Sequence, residues 1–155
     1  MADLPRLLLE SLDPNTRKRA EQNLYAINTQ PGFLLHLLQL VLEPSQNRAV
    51  RLAGGVYLKN ITKLRWEEVS RSLHCYLTRV NRSSPIKDVQ PLPENDKATL
   101  RDRLIPAMIT LSGAEDKAIR AQIAESVALI AELDFPTKWP NLIDVSLVCS
   151  QSNSP

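Results

Sequence analysis

The sequence is poor in the residues that mark several protein classes. Its 155 positions hold 2 Cys, 4 Gly and 5% aromatic residues, and the net charge is only +2. Two Cys allow at most one bridge, which excludes a disulfide-rich secreted scaffold. Every long apolar stretch is broken by Arg, His, Gln or Glu. None therefore approaches the roughly 20 apolar residues of a membrane span. Met1-Ala2-Asp3 brings an acid and no basic run, so no secretory signal is expected. A charge this small gives no reason to expect nucleic-acid binding. What is present, 43% hydrophobic and 23% charged residues, suits one soluble, foldable domain.

The composition is uneven. Segment 69–87 carries Arg71, Arg79, Arg82 and Lys87 and no acid. Without those four, the basic count falls from 19 to 15 against 17 acids, a net charge of −2. The same segment holds His74 and Cys75, and Cys149 lies in the uncharged tail 145–155. The rest of the chain has no Cys and one His, His36.

That remainder reads as helix after helix. Asp3 is placed to cap a helix over 4–11, with Pro5 in its first turn. Asp13-Pro14 has the form of a cap followed by Pro at the first helical position. The helix after it runs to about 28, with Ala20, Leu24 and Ile27 on one stripe. Pro31-Gly32 breaks the chain before an almost wholly apolar helix over 33–42, a pattern that needs neighbours on several sides. The next helix, over 46–63, presents Val50, Ala53, Val56 or Tyr57, and Ile61. Gly54-Gly55 inside it costs about 1 kcal/mol per Gly relative to Ala, which points to a close helix crossing.

Beyond 69–87, a helix over 93–112 is striped by Leu100, Leu104, Met108 and Leu111. Pro106 should kink it and Gly113 should cap its end. A helix over 115–133 has Ile119, Ile123, Val127 and Ile130 on one edge. Ala124, Ala128 and Ala131 form a second edge that permits close packing. A two-proline turn, Asp134-Phe135-Pro136-Thr137-Lys138-Trp139-Pro140, precedes a last helix from Asn141. The pattern predicts an all-α fold: an α-solenoid of antiparallel HEAT-type helix pairs, about three pairs and the start of a fourth. The second helices begin near 14, 46 and 115, and the second step approaches the ~40–47-residue HEAT period once 69–87 is set aside.

Catalytic constellations are not found. His36 stands alone on an apolar helix, where a satisfied core or groove histidine is expected. Cys75 and Cys149 lack metal or redox spacing. No GxGxxG, P-loop or GxSxG occurs, and Gly54-Gly55 is mid-helix. No enzyme activity, metal or cofactor is expected. One charged feature stands out: Arg48, Arg51, Lys59, Lys63 and Arg65 follow one helix, with Asn60 among them. Such a strip is either a solvated face or a docking surface for an acidic protein partner.

Specific residues then point to a family. Ala20-Glu21-x-x-Leu24, Phe33, Leu37-Leu38, Arg51-Leu52-Ala53-Gly54, Leu58-Lys59-Asn60 and Trp66 resemble the importin-β N-terminal domain of the karyopherin superfamily. The run from Gln122-Ile123-Ala124-Glu125-Ser126 to Asp134-Phe135-Pro136-x-x-Trp139-Pro140 resembles the family's third HEAT repeat. Arg51-Leu52-Ala53-Gly54 and Leu104-Ile105-Pro106-x-Met108-Ile109 look most like the branch that exports importin-α. The resemblance implies an armadillo-like helical receptor that shuttles between nucleus and cytoplasm, with the nuclear envelope as a further location. It implies the GTP form of the GTPase Ran as partner, bound on inner helices, and contact with nuclear pore proteins. Arg51, Lys59, Asn60 and Lys63 are the residues it nominates for Ran. Phe135, Pro136, Trp139 and Pro140 are expected to lock a turn between repeats. An import receptor of the same superfamily, or a HEAT scaffold without a GTPase, remain the alternatives.

The resemblance divides the chain into two repeats over 1–68, a basic insertion and loop over 69–93, a third repeat and start of the fourth over 94–144, and a divergent tail over 145–155. Importin-α as cargo belongs to a full-length receptor, because an arch of many repeats grips it. A solenoid ending in its fourth repeat should expose apolar surface there. Both odd segments open with Val-Ser, at 69–70 and 145–146, which can be encoded GTRAGT, an intron start. Leu77-Thr78 can encode a branch-point-like CTNACN, Ser83-Ser84-Pro85 a pyrimidine tract, and Lys87 a terminal AG. One reading is therefore a retained in-frame intron at 69–87 and intron read-through at 145–155. The other is a genuine variable loop, with little fixed structure, and a divergent tail. Spliced transcripts decide between them: the intron reading expects most reads to lack codons 69–87, and a majority keeping them overturns it.

Overall fold

Helices form where apolar residues recur at helical spacing, and their faces set the packing. The computed structural model describes residues 3–66 and 91–144. Among them it contains α1 (Leu4–Glu10), α2 (Arg17–Ile27), α3 (Phe33–Leu42), α4 (Arg48–Arg65), α5 (Glu94–Thr110) and α6 (Lys117–Asp134). A 3-10 turn over Ala114–Asp116 leads into α6, and 142–144 is again helical. The 69–87 segment, both Cys and the tail lie outside the described residues.

Local chemistry fixes the starts of α3 and α4. Gly32 precedes α3 at φ 77°, a left-handed conformation in which other residues are strained. Its N–H donates to the Asp96 carboxylate on α5, at 3.0 and 3.2 Å. Asn47 caps α4 by accepting from the Ala49 N–H at 2.8 Å.

Three expected caps are not formed. The Asp3 side chain makes no capping bond; its carbonyl accepts from Leu7 instead. Helix α2 begins at Arg17, not at Pro14. The Asp13 carboxylate closes a tight turn onto Asn15 at 2.9 Å, and Thr16 donates to the Glu10 carbonyl at 2.7 Å, so the first turn is spent on the connection. Gly113 sits at φ −59°, outside the left-handed region, and introduces the 3-10 turn.

Two layers result. Contacts at the start, middle and end show that α4 and α6 run side by side in the same direction. Arg48 and Arg51 meet residues 115–116, Gly55 meets Gln122, Lys59 meets Glu125, and Trp66 meets Asp134. Helices α3 and α5 are likewise joined at their starts, through Gly32 and Asp96. Helices α3 and α5 form one layer and α4 and α6 the other, with α1 packed against α2 and α4. Leu8, Leu24, Phe33, Leu58, Leu104, Ile123 and Ile130 belong to one continuous core. This is the predicted HEAT-type helical solenoid.

The Gly pair does bring helices close, and each Gly serves a different neighbour. A Cβ on Gly54 would lie 2.9 Å from Val41 Cγ2 on α3, and one on Gly55 would lie 3.4 Å from Gln122 Cβ on α6. The Ala row of α6 does not supply the close contact: Ala128 is exposed and Ala124 and Ala131 are half-buried. The small residues sit on α4 instead. His36 is exposed, not in the core, because Phe33, Leu34, Leu37, Leu38 and Val41 fill the buried face of α3. Its Nδ1 lies 2.9 Å from the Gly32 carbonyl.

The far end of the α4–α6 contact is a buried polar cluster. Trp66, 2% exposed, donates its indole N–H to Asp134 at 3.0 Å. Arg101 donates to the same carboxylate oxygen at 2.6 Å and lies 5.9 Å from the Trp66 ring centre, as does Lys97. Glu94 pairs with Lys97 and Arg101. Burial pushes the Glu94 carboxyl up, but these two cations outweigh it and hold it below the ordinary carboxylate range.

The two glycines should respond differently to Ala. Gly54→Ala drives a methyl into stiff, β-branched Val41 and should cost about 1–2 kcal/mol after the helix-propensity gain. Gly55→Ala should stabilise by up to about 1 kcal/mol, since the methyl meets Gln122 at an ordinary contact distance and the helix-propensity gain is kept. Urea unfolding of both variants measures the difference.

Candidate partner-binding face

Helix α4 carries the nominated cations, and its geometry separates them. Arg51, Leu58 and Arg65 recur every seven residues, so they share one face, and all three are buried. Lys59, Asn60 and Lys63 fall on another side; Asn60 and Lys63 are exposed and Lys59 is half-buried. The continuous strip read from the sequence is therefore not one surface.

Arg51 faces inward and is 7% exposed. Its Nε donates to the Val41 carbonyl at 2.9 Å, and both terminal nitrogens pair with Asp116, at 2.9 and 3.0 Å. This is a two-pronged, charge-assisted clamp joining α3, α4 and the entry of α6. All its reach is used internally, which removes Arg51 from the exposed set. Arg48 donates to the Glu115 carbonyl at 3.1 Å. The Lys59 ammonium lies 3.4 Å from Glu125, with the lysine side chain 20% exposed.

Asn60 opens onto a groove of about 510 Å³ between α2 and α4. Tyr25 and Leu64, each 45% exposed, form its apolar wall. Asn28 donates to the Tyr57 hydroxyl at 3.0 Å, and the Tyr57 ring meets Phe33 edge-on, with centroids 6.3 Å apart. Burial pushes the Tyr57 phenol up from its usual value, partly offset by the Asn28 bond. Arg65 lies over the Tyr25 ring, 5.0 Å from its centre.

The two-proline turn divides its residues. Trp139 is 2% exposed and packs in the core. Phe135 is 40% exposed and does not lock the turn, because the backbone there leaves the helix and carries the ring outward. Pro136 and Pro140 are exposed. The turn is held by the Asp134 carbonyl, which accepts from Lys138 at 2.7 Å and Trp139 at 3.0 Å. Leu133, Phe135 and Ile143 are all exposed.

Among the described residues, no group of three or more His, Cys, Asp or Glu could hold a metal, and no helix is long and apolar enough to cross a membrane. The Arg51–Asp116 clamp and the Trp66–Asp134–Arg101 cluster escaped the sequence reading. Only the family-like positions of Trp66 and Asp134 hinted at them.

Layered helix pairs joined by short turns define a HEAT-type helical-repeat segment. The family is specific: the Importin-beta N-terminal domain pattern matches residues 20–110, more than half of the chain, and the chain belongs to that family. The importin alpha re-exporter of Saccharomyces cerevisiae is 30% identical over 146 residues, covering 92% of this chain and 13% of that protein. The importin-alpha re-exporter of Schizosaccharomyces pombe is 31% identical over 144 residues, with the same 92% and 13%. Importin-8 of Danio rerio is 28% identical over 145 residues, covering 93% and 13%. A solved structure, the exportin Cse1 in its cargo-free, cytoplasmic state, superposes with a TM-score of 0.70 at 29% identity, over 92% of this chain and 13% of that one. The chain thus spans about 13% of the length of these relatives.

Stability separates the clamp from the exposed face. Arg51→Met strands a buried carboxylate and should cost about 3 kcal/mol. Lys63→Ala should stay within about 0.5 kcal/mol. Thermal unfolding followed by far-UV circular dichroism checks both.

Proposed function

We propose that this chain is the N-terminal portion of a nuclear transport receptor that binds Ran in its GTP form through α4. The longer receptor would shuttle between nucleus and cytoplasm, meet nuclear pore proteins on the way, and export importin-α. The observation that carries this reading is similarity to two importin-alpha re-exporters along 92% of the chain. The contact set narrows to Lys59, Asn60 and Lys63, since Arg51 is committed to Asp116. Two ammonium groups flanking an exposed amide suit an acidic protein surface, which they would attract by steering as well as by contact. Importin-α would be gripped by repeats outside these 155 residues, so cargo binding belongs to the longer receptor. An import role is the second reading, favoured by a match of equal extent to an importin-8.

Immobilised chain should retain Ran loaded with GTP and release Ran loaded with GDP. The double variant N60A/K63E should weaken retention at least about tenfold, with an unchanged circular dichroism spectrum. Equal retention of both nucleotide forms, or none, overturns the GTPase reading and favours a helical scaffold.

A further inference from the structure

A phosphoryl acceptor needs an exposed hydroxyl, a stretch of chain outside regular structure, and charges that a kinase can read. In the whole sequence only Thr99 and Ser112 are followed by an acid at the third position, Asp102 and Glu115. The fold separates the two. Thr99 is half-buried inside α5, and its hydroxyl donates to the Asn95 carbonyl one turn back at 2.8 Å. Ser112 is exposed in the connection between α5 and α6, and its hydroxyl has no partner among the described residues. Glu115 is exposed three positions on, whereas Asp116 is buried and paired with Arg51. Only Gly113 and Ala114 stand between the hydroxyl and the Glu115 carboxylate, so no bulky side chain shields either.

The turn is also ready for the charge that phosphorylation would add. Arg120, half-buried on α6, reaches back over it, with Nη1 3.5 Å from the Ser112 carbonyl. That contact is long for an N–H···O bond, and among the described residues no carboxylate pairs with Arg120. Its guanidinium is therefore available to a stronger acceptor. Lys117 is exposed nearby, and Arg48 of α4 donates to the Glu115 carbonyl at 3.1 Å. We propose that Ser112 is a phosphorylation site for an acid-directed serine/threonine kinase, and that Arg120 holds the phosphoserine. The Ser112 hydroxyl oxygen attacks the γ-phosphorus of ATP. The new O–P bond replaces the bond to the β-phosphate, ADP leaves, and the hydroxyl proton passes to a base of the kinase. The product places about two negative charges just ahead of the Arg51–Asp116 clamp. The site shares no residue with the face proposed for the GTPase and does not depend on that reading.

Casein kinase II with magnesium and ATP, applied to the folded full chain and read by peptide mass spectrometry, tests it. Ser112 should be labelled, and Ser112→Ala should abolish that label. Glu115→Gln should slow labelling of Ser112 at least about tenfold. Thr99, with the same acid spacing but a helical setting, should be labelled at least about tenfold more slowly than Ser112. Thermal unfolding then reads the Arg120 contact. Phosphorylation should raise Tm by about 2–4 °C, and in Arg120→Gln, compared with and without the phosphoryl group, the rise should vanish. No label at Ser112, Thr99 labelled as fast, or labelling indifferent to Glu115→Gln overturns the proposal. So does the absence of a Tm rise, or a rise that survives Arg120→Gln.

Discussion

Helix α4 must lie within van der Waals distance of two neighbours at once, and the rest of the structure depends on that constraint. Gly54 admits α3 and Gly55 admits α6. Two glycines in a helix interior cost about 2 kcal/mol of propensity. Close packing along both sides, where many small dispersion contacts add up, offsets it. Polar clamps then pin the register of α4 against α6 at both ends. Arg51 holds Asp116 at the start, and Trp66 and Arg101 hold Asp134 at the finish. Buried ion pairs add little net stability compared with apolar packing, but a one-turn slip would strand every charge in them. The clamps therefore serve to specify register more than to add stability.

This arrangement decides what α4 can offer a partner. With its Arg51–Leu58–Arg65 face committed inward, the helix presents Lys59, Asn60 and Lys63 on one side and the α2–α4 groove beside them. A rigid, doubly gripped helix is a suitable platform for recognition, because its side chains lose little backbone freedom on binding. The groove is less committed: α2 and α4 meet through the Asn28–Tyr57 bond and the Arg65–Tyr25 stack.

Much of this was legible in the sequence because helix period and turn chemistry are local. Among the described residues, helices α1 to α6, the layered HEAT-type fold and the close approach at Gly54-Gly55 follow from spacing, and the family followed from the order of its motifs. What was not legible lies in partners far apart in the chain. Arg51 read as one cation in a strip because Asp116 stands 65 positions away. Asp134 read as part of a turn, although Trp66 and Arg101 reach it from 68 and 33 positions away. His36 was misplaced because a helix apolar on most sides still has one face toward water. The start of α2 was missed because Asp13 can cap a helix or close a turn, and a contact from Thr16 to the preceding helix selected the turn.

The most direct test of the clamped α4–α6 pair is a double-mutant cycle between Trp66→Phe and Asp134→Asn, read by urea unfolding. If the indole–carboxylate bond fixes the register of the two helices, the coupling energy should be about 1–2 kcal/mol. Additive effects within about 0.3 kcal/mol would contradict the account, since the two side chains would then act independently.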